Sequence, residues 1–177
     1  LPARNSQQLI YLINKIIAQA NLNGSENWVK KAAFIASCDS GYYTVAEGTQ
    51  TYVISNHTLP AGYSGTFPLN PQPGGDQLYC HTYSANTTNI VNAVNDQRAL
   101  IAYSGHGSND RWSDGLISFT STNIQNLAAN PALPLVTSFA CLTGDFGNDT
   151  LTTSFGETWV LQQDKGAVAF LGSADNS

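Results

Sequence analysis

The chain has 177 residues, of which 42% are hydrophobic and 11% charged, and its formal net charge is −5. That length supports one compact domain with a sizeable core, and the composition excludes a disordered chain. Seven Lys and Arg, with no basic run, exclude nucleic acid and other anionic polymers as partners.

In chain order, Asn5 stands as an N-cap before apolar residues at Leu9, Ile10, Leu12, Ile13, Ile16 and Ile17. That spacing predicts a helix. Lys30 to Ser37 is a short apolar run and predicts a strand. Residues 39–76 are rich in Gly, Pro, Asn, Thr and Tyr without a steady period. A loop of that length is functional or carries small elements of its own. Gln77 to Tyr83 predicts a short strand, and Asn86 to Gln97 a capped helix with Ile90, Val91 and Val94 on one face. Ala99 to Ser104 follows as a buried strand, and Ser121 to Ala128 as a short helix. Pro131 and Pro134 mark a turn, and Leu133 to Ala140 is another buried strand. Thr153 to Lys165 predicts a helix closed by Gly166 at its C′ position, and Ala167 to Ser173 a last strand.

Strands alternating with helices, and apolar on both faces, predict an α/β fold: a mostly parallel sheet sandwiched between helices. The longest apolar stretches are strand-sized and interrupted, so no transmembrane helix or membrane partner is expected. "LPARNSQQL" has no basic region feeding an apolar core and is not a signal peptide. An abrupt start and a stop directly after a core strand suggest a piece cut from a longer chain at both ends.

Ligands bind beyond the carboxyl ends of the strands in such sheets. Cys38-Asp39 follows the first strand, Gly105-His106-Gly107 the Ala99 strand, Cys141 the Leu133 strand, and Ser173-Ala174-Asp175 the last. A carboxylate, an imidazole and a thiol therefore converge on one edge. A thiol attacks as its thiolate, an imidazole can take its proton, and a carboxylate on the far ring nitrogen orients the imidazole. The chemistry that suits this set is acyl transfer through Cys141, His106 and Asp39. The backbone N–H groups of Gly107 and Cys141 are the expected oxyanion donors. Trp112, shortly after the histidine, is expected to line a substrate pocket, as is Ser173.

Other chemistries find no support. Position 110 is Asp where a dinucleotide loop needs Gly, and no Gly-Lys-Ser/Thr is present. His57 and His81 have no spacing to His106 that suggests a metal triad, and no metal is expected at the reacting centre. Cys38, Cys80 and Cys141 are too few for a disulfide scaffold; at most one bridge forms, and Cys38 and Cys80 can pair without having to. Trp28 and Trp159 are expected in the core or at its rim.

The stretches "YSGHGSNDRW", "SFACLTGDF" and "SFGETWVLQQDKGAVAFLG" resemble the gingipain family of cysteine peptidases, within the caspase-like group. The resemblance is specific from about Ala99 onward and loose before it. It implies a caspase-like fold and a cysteine endopeptidase, with Cys141 as nucleophile, His106 as general base and Asp39 as its acidic partner. It implies one catalytic subdomain over residues 1–177, with a polypeptide substrate and further domains in the same longer chain. It also implies an extracytoplasmic location, secreted or at the cell surface. The chemistry requires no cofactor. Relatives bind calcium, for which Asp39, Asp145 and Asp149 are the carboxylates at hand.

Basic-residue-specific members carry an acid in the long loop. Glu47 is the nearest one here, and trypsin-like specificity does not carry over. The alternatives are a caspase-like binding or assembly module, an inactive fragment, or another acyl-transfer enzyme such as a thioester hydrolase or transpeptidase.

Overall fold

The computed structural model describes residues 2–147 and 153–177. The first helix, α1 (Ser6–Ala20), begins where Asn5 accepts a hydrogen bond from Gln8 N at 2.9 Å. The side-chain oxygen satisfies one of the four N–H groups a helix start leaves open. The inner face of α1 seats Leu12 against Val160 and Leu161. The buried Lys15 ammonium reaches three main-chain carbonyls, those of Val160, Lys165 and Ala167, at 2.7–3.1 Å.

The central sheet has five strands, all parallel: β1 (Ala32–Ala36), β4 (Asp76–Tyr79), β5 (Leu100–Ser104), β9 (Leu135–Phe139) and β10 (Ala169–Gly172). Their order across the sheet is β10-β9-β5-β1-β4. Side chains alternate between its faces. Ala33, Ile35, Ile101, Tyr103 and Val136 enter the larger core on one side. Ala32, Phe34, Ala36 and Ala102 enter a smaller one on the other. On the β9–β10 half of that second side, Leu135, Phe139 and Leu171 stay exposed. Apolar burial on both faces is thus complete only over the β5-β1-β4 half of the sheet.

Several boundaries differ from expectation. The 39–76 stretch contains an eleven-residue helix, α2 (Tyr43–Val53), a π-helical turn at Ile54–Thr58, and a small ladder of β2 (Ser64–Gly65) with β3 (Gln72–Pro73). Gly48 and the β-branched Thr and Val residues give α2 low intrinsic propensity. Packing decides it, through Ala46 and Gln50 buried on the sheet. The expected Gln77–Tyr83 strand stops at Tyr79 and turns into a helical turn, α3 (Cys80–Tyr83). Helix α4 (Thr87–Asn95) has the expected cap, with the Asn86 and Asn89 side chains each accepting from the other's N–H.

The expected helix to Lys165 is shorter: α6 (Phe155–Leu161) ends before an extended Gln162. Gly166 is therefore not its C′ residue. It sits at φ +78°, where a Cβ would lie 2.1 Å from Trp159 O, so only glycine lets the chain cross beneath the helix there.

The element sequence reading missed is the antiparallel meander after the histidine: β6 (Gly107–Ser108), β7 (Arg111–Asp114) and β8 (Ile117–Thr120), followed by α5 (Ser121–Gln125). Its inward positions are Trp112, Asp114, Ile117 and Phe119. The alternation and the Asp114-Gly115 pair were a hairpin signal.

Candidate active site

The carboxyl ends of β1, β5 and β9 lie side by side, because β5 pairs with both of the others. Asp39 leaves the end of β1 in a tight turn, its Oδ1 accepting from Gly41 N at 2.7 Å. Its Oδ2 stands 2.9 Å from His106 Nε2. The hydrogen bond from His106, and then that from Gly41, hold the Asp39 carboxyl below the usual carboxylate range. Both partners face solvent, with side-chain exposures of 61% for His106 and 38% for Asp39.

The main chain of His106 is fixed from beneath. Tyr103 Oη donates to its carbonyl at 2.7 Å and Ser113 N donates to the same oxygen at 3.1 Å. Burial, and then the Asp114 charge, push the Tyr103 hydroxyl well up, so it remains a donor. The Ser113 bond makes Gly107–Trp112 a non-hydrogen-bonded pair of the β6–β7 ladder, which leaves the Gly107 N–H outside it.

Cys141 begins the turn after β9 and is the one unpaired cysteine, since Cys38 and Cys80 form a disulfide. Gly107 presses on that turn. A Cβ there would meet Ala140 Cβ and Thr143 Cγ2 at 2.8 Å, and Cys141 O at 3.2 Å. Leu142, directly after the thiol, sits at φ +59°, a strained conformation for a branched residue. The segment after β10 holds the turn: Leu142 N donates to Asp175 O at 3.1 Å and Gly144 N to Ser173 O at 2.8 Å. The Cys141 thiol makes its contacts with Ser177 N and O, both at 3.3 Å, rather than with the imidazole. The Cys141 backbone N–H has no hydrogen-bond partner among the described residues.

His106 and Cys141 line one cavity of about 550 Å³, together with Tyr42, Phe139, Leu171 and Ser173. A somewhat larger groove of about 630 Å³ runs along α1 past Ile10, Lys15 and Pro131. It lies away from the strand ends, and the Lys15 ammonium is already held by carbonyls, so the smaller cavity is the chemically equipped one.

Of the expected pocket residues, Ser173 lines this cavity. Trp112 does not. It is fully buried beneath it, stacked on Tyr103 at 4.6 Å and donating from Nε1 to Ser138 Oγ at 2.8 Å. Its inward parity on β7 puts it there. Glu47 points elsewhere, its carboxylate accepting from the N–H and hydroxyl of Thr82. Of the calcium candidates, Asp39 is engaged with His106, Asp145 accepts from Asn109, and Asp149 lies outside the described residues. Among the described residues no group of three His, Cys, Asp or Glu could hold a metal ion, and no helix is long and apolar enough to cross a membrane. Sequence reading missed Tyr42, which opens α2, and Asp114, whose inward position in the unexpected meander was the available sign.

The sequence model of peptidase family C25 matches residues 1–177. Lys-gingipain of Porphyromonas gingivalis is 26% identical over the whole chain, which spans about 10% of that relative's length. Gingipain R2 of the same organism is 27% identical over 72% of the chain, and 16% of that relative is covered. The crystal structure of the Arg-specific cysteine proteinase gingipain R superimposes with a TM-score of 0.79 at 24% identity, over 99% of this chain and 39% of that one. That likeness establishes the caspase-like fold. With the family match over its full length, the chain belongs to peptidase family C25.

Proposed function

We propose that the chain is the catalytic subdomain of a longer cysteine endopeptidase, with Cys141 as nucleophile, His106 as general base and acid, and Asp39 as the group that orients His106. The observation that carries this reading is the 2.9 Å His106–Asp39 contact on the rim of the cavity that also holds the unpaired thiol. With Nε2 given to Asp39, Nδ1 is the ring nitrogen left for the proton of Cys141. The thiolate sulfur attacks the peptide carbonyl carbon, and the carbonyl oxygen takes the negative charge. The Gly107 and Cys141 N–H groups serve that oxygen. The imidazolium then gives its proton to the leaving amine as the C–N bond breaks. Water, deprotonated by the same imidazole, hydrolyses the thioester and frees the thiol.

The substrate class is polypeptide, and partners include other parts of the longer chain, since this segment spans a tenth of Lys-gingipain. The Cys38–Cys80 disulfide favours an extracytoplasmic site of action, where thiols oxidise. The test is labelling by iodoacetamide and by peptidyl chloromethyl ketones, with mass mapping of the modified residue. Rapid labelling of Cys141 that His106→Ala abolishes supports the enzyme. Labelling at the rate of a free thiol, with no peptide hydrolysis, supports the binding-module reading instead. The Ser177 contacts on the thiol are what that second reading has in its favour.

A further inference from the structure

We infer that Asp114 is a positioning residue for this site: its buried carboxylate ties together the two strand-end loops that carry Asp39 and His106. The inference rests on the peptidase reading only for its effect on turnover; the geometry stands apart from it.

Asp114 ends β7 and is 5% exposed. All three donors to its carboxylate come from residues next to, or part of, the proposed machinery. Oδ2 accepts from Ser37 Oγ and, at 3.4 Å, from His106 N. Oδ1 accepts from Cys38 N at 3.1 Å. The Ser37 hydroxyl in turn accepts from Asp39 N at 2.9 Å. The chain of contacts therefore runs from the Asp39 main chain through Ser37 and Asp114 to the His106 main chain. It closes a loop with the 2.9 Å side-chain contact between Asp39 and His106.

The sequence around it has been shaped to admit the carboxylate. A Cβ at Gly105 would lie 2.9 Å from Asp114 Oδ2 and 2.6 Å from Tyr103 Oη. The glycine before the histidine thus makes room for Asp114, while the glycine after it lies against the Cys141 turn. Gly115 sits at φ +58°, where a Cβ would come within 2.6 Å of Cys38 Cβ, so the meander docks directly on the residue preceding Asp39. Among the described residues, no cation pairs with Asp114. A carboxylate buried without a cation is costly unless its hydrogen bonds are well placed. A neutral Asn is isosteric but presents one acceptor oxygen in place of two, so it can keep the shape while dropping part of the network.

The test uses the full chain with Asp114→Asn and, as the milder change, Ser37→Ala. Folding of each is checked by its backbone amide spectrum. The first readout is the Asp39 carboxyl titration by NMR, which needs no activity. Wild type titrates low because His106 donates to Asp39. In Asp114→Asn the midpoint is expected to move up toward the ordinary value, and in Ser37→Ala to move up less. The second readout is peptide hydrolysis. In Asp114→Asn, kcat is expected to fall on the order of 10- to 100-fold with KM nearly unchanged, as for a misplaced catalytic group. Addition of Asp39→Asn to Asp114→Asn is expected to cost much less than it costs wild type, because both act on the same contact. An unmoved Asp39 titration in folded variants overturns the inference, and so does full additivity. A moved titration in a chain that hydrolyses no peptide upholds the positioning role while sinking the peptidase reading.

Discussion

Two pairs of a basic and an acidic side chain stand at opposite ends of the same sheet. At the amino end, Arg98 and Asp76 meet at 2.7 Å with both side chains fully buried. Arg98 also donates to the half-exposed Asp96 and to Thr66, and Asp76 accepts from Phe67 N, so neither Arg98 nor Asp76 presents its charge to solvent. At the carboxyl end, His106 and Asp39 meet at 2.9 Å with both side chains in reach of solvent. The first pair is sealed by neighbours that leave it no chemistry. The second keeps one ring nitrogen free and faces a cavity with a thiol. The difference teaches that contact distance does not separate a sealed pair from one open to chemistry; what separates them is access.

That contrast can be broken by four measurements. His106→Ala at the exposed end is expected to lower peptide hydrolysis on the order of 10⁴-fold while leaving thermal unfolding in place. A melting temperature that falls with the activity breaks the contrast. Next, Arg98→Ala at the buried end is expected to cost about 3–5 kcal/mol of stability, because Asp76 is left buried and unpaired. Denaturant unfolding measures it, and activity per folded molecule is expected to hold. Third, Asp39→Asn is expected to lower kcat about 100-fold and to leave the denaturant midpoint close to that of wild type, because solvent screens the exposed contact. Equal losses of stability in Asp39→Asn and Arg98→Ala erase the distinction.

The smallest effect is in pH. The Asp39 carboxyl lies below its ordinary value, chiefly through the His106 hydrogen bond. A lowered carboxylate keeps its ionised contact at neutral pH and loses it only as pH falls through the depressed value. The ratio of wild-type to Asp39→Asn labelling rates at Cys141 is therefore expected to stay level from pH 7 to about pH 4, and to collapse only below that. A collapse centred at pH 5 or above removes Asp39 from its role. The stability lost with that contact is small, because solvent screens the exposed pair.

Much of this was legible in the chain. Asn5 and Asn86 marked their helices because a cap is a local bargain between one side chain and the next turn. The parallel sheet followed from apolar runs alternating with helical ones, and with it the convergence of Asp39, His106 and Cys141 on one edge. Helix α2 and the meander after His106 were not legible in the same way. Their residues have weak local preferences, and what holds them is burial of Ala46, Trp112 and Phe119 against distant parts of the chain. Missing the meander explains the misplacement of Trp112, whose inward parity appears only once β7 exists.

The sequence by itself determined which side chains could do chemistry and on which edge they gather, because strands that all run the same way put every carboxyl end on one side. Only the tertiary structure decided how they are held. Asp114 and Tyr103 hold the His106 main chain, the disulfide leaves Cys141 as the free thiol, and Glu47 is taken by Thr82. The disulfide and the Glu47–Thr82 contact join residues far apart in the chain, and the Asp114 contact exists only once the meander has folded back, so local propensity carries no information about them.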